Sequence, residues 1–112
     1  MSLTRGDVLT FGSYETYKTM IKVKVNMIER ADMLDGGNGK GDYYFTGTIL
    51  IINADEIHEQ VNLQPLPEVN HEYKFRYCNT ASLNTLTFVD DGNNKTIGGY
   101  GIYNPVQVIQ LF

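Results

Sequence analysis

The chain has 112 residues, 42% of them apolar and 20% charged, which excludes disorder and suits one globular domain over residues 1–112. A domain of this length buries a core without needing metal or disulfide, and its single cysteine, Cys78, excludes an internal disulfide. Nine basic residues against thirteen acidic ones give a net charge of -4, which excludes a general pull toward phosphate polymers and leaves only local patches for such contact.

In chain order, residues 1–4 read as a flexible start, and Arg5-Gly6-Asp7-Val8-Leu9 as a short entry into an alternating run. From Thr19 to Ile28 apolar and polar residues alternate. Ile21, Val23, Val25 and Met27 are placed on one side of a half-buried strand, with Lys22, Lys24 and Asn26 on the other. The glycine-rich Asp35 to Gly41 reads as a loop, and a second strand runs from about Asp42 to Ile52. Its end, Ile49-Leu50-Ile51-Ile52, is apolar at every position and is expected to be covered on both faces. Glu56 to Leu63 alternates weakly and reads as a short strand or one helical turn, with strand favoured, and Pro65 and Pro67 mark a loop.

From Glu72 to Cys78, Tyr73, Phe75 and Tyr77 share one face while Glu72, Lys74 and Arg76 share the other; Leu86 and Phe88 continue a core face. Asp90 to Asn94 supplies residues that tolerate positive φ in a hairpin. Strands over Lys95 to Tyr103 and Val106 to Leu111 complete the chain. No segment carries a sustained helical period, so the pattern predicts an all-β barrel or sandwich. Gly98, Gly99 and Gly101, which would let a strand bend at a corner, favour the barrel.

Chemistry-bearing constellations are sparse. The Gly36 to Gly41 stretch fails the phosphate-loop template, with Leu34 and Gly41 where Gly and Ser or Thr are needed. It fails the dinucleotide template as well, so no nucleotide binding and no cofactor are expected. His71 and Cys78 are an odd number of positions apart and would point to opposite faces of one strand, and His58 has no evident partner. Two histidines and one cysteine do not make a zinc spacing, and Asp90, Asp91, Asn93 and Asn94 read as turn formers. What remains is a surface. Lys18, Lys22 and Lys24 share a parity, with Arg5 nearby, although a plain solvated strand face that blunts edge pairing explains them too. Tyr43, Tyr44, Tyr100 and Tyr103 lie on or near strands whose other face fills a core, so some are expected on a contact surface.

Arg5-Gly6-Asp7-Val8-Leu9, Thr46-Gly47-Thr48-Ile49 and Leu86 to Gly98, in that order and spacing, resemble the third domain of translation elongation factor Tu. The corresponding family patterns are R-G-x-V-L, T-G-T-I and F-x-I-R-E-G-G-R-T-V-G, and Pro67 falls where the family has P-G-D. The resemblance implies a six-stranded antiparallel closed β-barrel, here as a stand-alone domain. In the family the late hairpin touches the T-stem of aminoacyl-tRNA. By position Asn93 and Lys95 keep that role, while Asp91 exchanges a cation for an acid. One side of the family barrel packs on a second barrel, so a separate copy is expected to cover that side with a protein partner or by forming a homodimer.

The combined expectation is a non-catalytic, cytoplasmic binding module without membrane contact. No apolar run approaches the ~20 residues a span requires, the start lacks a signal region, and one cysteine fits a reducing compartment. Lys18, Lys22, Lys24, Asn93, Lys95 and Tyr100 are its candidate contacts, for a protein partner first and tRNA second. A small-ligand or carbohydrate site beside Tyr100 is the third reading.

Overall fold

Phe11 and Tyr77 touch edge to face, with ring centroids 5.7 Å apart, although their strands are three places apart in one sheet. A flat sheet would separate those strands by about 14 Å, so the sheet must curl, and the curl organises the molecule. The computed structural model describes residues 3–12, 18–33, 41–53, 67–79, 84–90, 93–96 and 108–110. Seven strands lie among them: β1 (Val8–Gly12), β2 (Thr19–Met33), β3 (Gly41–Ile52), β4 (Glu72–Asn79), β5 (Asn84–Asp90), β6 (Asn93–Thr96) and β7 (Val108–Gln110). They form one antiparallel sheet in the order β6-β5-β4-β3-β2-β1-β7, and no helix occurs among the described residues.

The all-β expectation therefore holds, and the sheet curls through β1 to β5 like half of a barrel. The chain's end returns to its beginning, because β7 pairs with β1 from Val8 opposite Gln110 to Thr10 opposite Val108. Asp90 lies opposite Asn93, leaving only Asp91 and Gly92 between β5 and β6, in keeping with the hairpin read there. The segment Glu56 to Leu63, the part beyond Thr96 of the strand expected over Lys95 to Tyr103, the loop at Pro65, and His58, Gly98, Gly99, Gly101 and Tyr103 lie outside the described residues.

The concave side is the core. Leu9, Phe11, Ile21, Val23, Val25, Tyr43, Phe45, Ile49, Phe75, Tyr77, Leu86 and Phe88 are buried there. Aromatic rings connect the strands: Phe75 stacks on Phe45 at 5.4 Å and meets Phe88 at 4.8 Å, Phe88 meets Tyr73 at 5.8 Å, and Tyr77 stacks on Tyr43 at 6.2 Å. Such offset and edge-on pairs add to what their buried area contributes. The alternation read in β4 and at Leu86 and Phe88 places these rings as expected.

Bulges produce the curl, and they correct several readings. Between β2 and β3 the register shifts three times, leaving Leu50 unpaired on β3 and Asn26 and Glu29 unpaired on β2. Each extra residue reverses which face the following side chains take and sharpens the local bend. Met27, expected in the core, is therefore turned outward at 54% exposure, and its neighbour Ile28 packs against the core instead. The apolar end of β3 is not covered on both faces: after Leu50, Ile52 faces the core while Ile51 stands outward at 39% exposure. A further shift against β1 interposes Met20 between Lys18 and Lys22, so the parity read through these lysines is broken. Met20 and Ile21 are consequently both buried.

Of the flexible start expected over residues 1–4, Met1 and Ser2 lie outside the described residues, and from Leu3 onward the chain is held by packing and hydrogen bonds. Leu3 joins the core, the Thr4 backbone N–H donates to Asp7 Oδ2 at 2.7 Å, and Asp7 N–H donates to the Thr4 carbonyl at 3.1 Å. Gly6 sits at the third position of that turn with φ +92°, a conformation that favours glycine. Its N–H donates to the Val25 carbonyl, and Val25 N–H donates to the Asp7 carbonyl, both at 2.8 Å, so the entry turn locks onto β2.

Candidate functional site

With the concave face filled by core side chains, chemistry is left to the convex face of β2, β3 and β4. The register there sets outward positions in rows. Arg30 pairs with Tyr44, and Tyr44 with Arg76; in the next row Asp32 pairs with Asp42, and Asp42 with Cys78. The Arg76 guanidinium donates twice to Asp42, from Nε to Oδ1 at 2.8 Å and from Nη2 to Oδ2 at 2.7 Å. Arg30 Nε lies 2.9 Å from Asp32 Oδ2. The guanidinium carbons of both arginines are within cation–π range of the Tyr44 ring, 5.9 Å for Arg30 and 5.5 Å for Arg76. One tyrosine is thus flanked by two arginines, each oriented by its own aspartate.

Electrostatics follow from the pairing. The hydrogen bond to Asp42 raises the Arg76 guanidinium further, so it stays charged at any ordinary pH. Burial pushes the Cys78 thiol up and Asp42 adds to this, while Arg76 opposes it. The folded state therefore holds the Cys78 proton longer than the unfolded chain does. The associated stability is present below the ordinary thiol range and is lost as pH climbs toward the raised folded value. Asp42→Asn is expected to cost about 1 kcal/mol, since the pair is partly exposed. It is also expected to bring the thiol down and speed its alkylation; urea midpoints and iodoacetamide labelling at mildly alkaline pH check the two effects.

Farther along the same face, the Asn26 side-chain amide donates to Thr48 Oγ1 at 2.7 Å and to Glu72 Oε2 at 2.8 Å, tying the bulge to β3 and β4. Lys22 and Lys24 stand outward as read, Lys22 opposite Ile51 and Lys24 opposite Thr48. Lys74, also outward, lies opposite Thr46, whose other neighbour is Met27.

The candidate contacts read from the sequence are only partly brought together. Lys22 and Lys24 share the convex face, whereas Lys18 is exposed just before β2, out of step with them and already engaged in a contact. Asn93 and Lys95 belong to β6, four strands from β2, with Lys95 opposite the core residue Phe88. Tyr100 lies outside the described residues. Of the tyrosines, Tyr43 is buried in the core and Tyr44 faces outward. Exposed Arg5 lies in the entry turn beside Val25. His71 pairs with Glu68 at 3.3 Å before β4 begins, away from Cys78. Among the described residues, no group of three His, Cys, Asp or Glu side chains is placed to hold a metal, and no helix is long and apolar enough to cross a membrane.

Arg30, Tyr44, Arg76 and Asp42 were not singled out as a group in the sequence. Their signal was present as alternating polar positions on either side of the glycine-rich segment, Arg30 and Asp32 before it and Asp42 and Tyr44 after it. No protein-family model, no curated protein and no solved structure matches this chain.

Proposed function

We propose that this chain is a non-catalytic protein-binding module whose contact surface is the convex face of β2 to β4. The row Arg30–Tyr44–Arg76 carries the reading. Tyrosine, arginine and methionine are the residue types enriched where proteins meet, and here all three lie on one outward face, with Met27 more than half exposed. Ion pairs to Asp32 and Asp42 hold the arginines in place beforehand, which lowers the ordering cost of binding. The two arginines also flank the Tyr44 ring, which limits its freedom at the centre of the patch.

In this proposal the curled sheet is the larger part of a closed antiparallel barrel similar to the third domain of translation elongation factor Tu, working in the cytoplasm. Pairing of β7 with β1 supports it, because closure then requires only that β6 and β7 meet. A tRNA contact is less well supported. Asp42 occupies the Arg76 fork and Asp32 engages Arg30 through Nε, and Asn93 and Lys95 belong to another part of the sheet.

Photo-crosslinking from position 44, with position 69 as the control, tests the reading. A discrete protein adduct from position 44 alone is expected in a native extract, and light scattering of the pure chain separates self-association from a different partner. Crosslinks of equal yield from both positions, or RNA as the sole adduct, would contradict it.

A further inference from the structure

Five of the nine basic residues, Lys22, Lys24, Arg30, Lys74 and Arg76, occupy outward positions of β2 to β4, against four of thirteen acids: Asp32, Asp42 and Glu72 at paired outward positions and exposed Glu29 at a bulge of β2. The two arginines are matched by the two aspartates. Asn26 donates to Glu72, and among the described residues Lys22, Lys24 and Lys74 have no acidic partner. On one face of a chain of net charge -4, three lysines without an acidic partner among the described residues therefore share a patch with one acid, Glu72, which lies in the row of Lys24 across Thr48, leaving a local excess of positive charge. From the strand spacing and rise, these lysines lie within roughly 16 Å of one another.

Exposed apolar side chains interleave with them. Ile51 stands opposite Lys22, and Met27 shares a row with Lys74 across Thr46. We propose that this lysine-bearing part of the face docks an acidic segment of a protein partner, one whose carboxylates meet Lys22, Lys24 and Lys74 and whose apolar side chains cover Met27 and Ile51. The inference rests on the convex face being the contact surface and adds the chemistry of what binds it. Complementary charge would steer the encounter and fix the register, while Met27 and Ile51 supply apolar area that loses water on docking. Phosphate chains fit less well. Three lysines release few counterions, giving a log–log salt slope of only about -2 to -3, and the apolar side chains between them would gain nothing from a sugar-phosphate backbone.

The test is an NMR titration of the whole chain with three probes: a peptide alternating glutamate and leucine, a peptide alternating glutamate and serine, and single-stranded RNA. The glutamate–leucine peptide is expected to shift the amides of residues 22–27, 48–51 and 72–74 and to bind more tightly than the other two. The variant K22E/K24E/K74E, altered only at surface positions and checked for an unchanged fold by its own spectrum, is expected to lose affinity by about tenfold or more. Unchanged affinity in that variant, shifts confined to another face, or tighter binding of RNA would overturn the proposal. If the triple variant still forms the protein adduct from position 44 at full yield, the acidic partner is wrong while the binding module stands. Absence of any protein adduct from position 44 with normal peptide binding would separate the two the other way.

Discussion

Phe75→Ala is expected to destabilise the protein by about 3–5 kcal/mol, a large part of the roughly 5–15 kcal/mol that a domain of this kind possesses. Phe75 is 1% exposed and is the ring that joins the core across three strands, stacked on Phe45 of β3 and set against Phe88 of β5. Its removal takes away buried apolar area, two ring contacts, and the filling of a space that the curled backbone cannot collapse into, because bulges fix that curvature. A fall of roughly 12–20 °C in the melting midpoint follows from the entropy scale of a chain this size. Met27→Ala, at an exposed position one row away, is expected to stay within about 0.5 kcal/mol of the parent. Circular dichroism melts of the two variants side by side test whether the concave face, and not the convex one, holds the fold together.

Gly47→Ala is expected to cost about 1–3 kcal/mol, near the upper end. The reason is close approach, since no positive φ is involved. A methyl group on Gly47 would come within 2.6 Å of Val23 Cγ1, 2.9 Å of the Phe45 ring and 3.0 Å of the Lys24 backbone carbonyl. Two of these neighbours are buried core side chains and the third is main chain, so none yields easily. Gly47 pairs with Val25 on one side and Tyr73 on the other, in the middle of the most strongly bent stretch of β2 and β3. Val23→Ala in the same chain opens the tightest of the three contacts, and the double variant should be more stable than the sum of the single effects requires. Strict additivity in urea titrations would show that the clash with Val23 is not the source of the cost.

The regular parts of this fold could be read from alternation alone. Tyr73, Phe75 and Tyr77 were placed inward, and Lys22 and Lys24 outward, because a two-residue period needs no knowledge of the partner strand. Bulges were not legible, since an extra residue leaves no mark of its own in composition. Their trace is an apolar doublet: in Met27-Ile28 and Ile51-Ile52 sequence cannot say which member turns inward, and in Met20-Ile21 both are buried. The candidate site suffered from the same gap. The uninterrupted alternation ends at Ile28, short of Arg30 and Asp32, and only the register across Met33 and Gly41 brings them beside Tyr44, Asp42 and Arg76. Parity groups Lys18 with Lys22 and Lys24 in the sequence, whereas the inserted Met20 puts Lys18 out of step with them.

Division of labour between a concave core and a convex contact face depends on the curl of the sheet, and the contact between the Phe11 and Tyr77 rings reports it most directly. Nuclear Overhauser spectra of the pure chain should show cross-peaks between the two rings, together with cross-peaks from Tyr77 to Tyr43. A folded protein that gives the Tyr43 cross-peaks but none from Phe11, as a flat sheet with these strands about 14 Å apart would, contradicts the curl and the assignment of one face to binding.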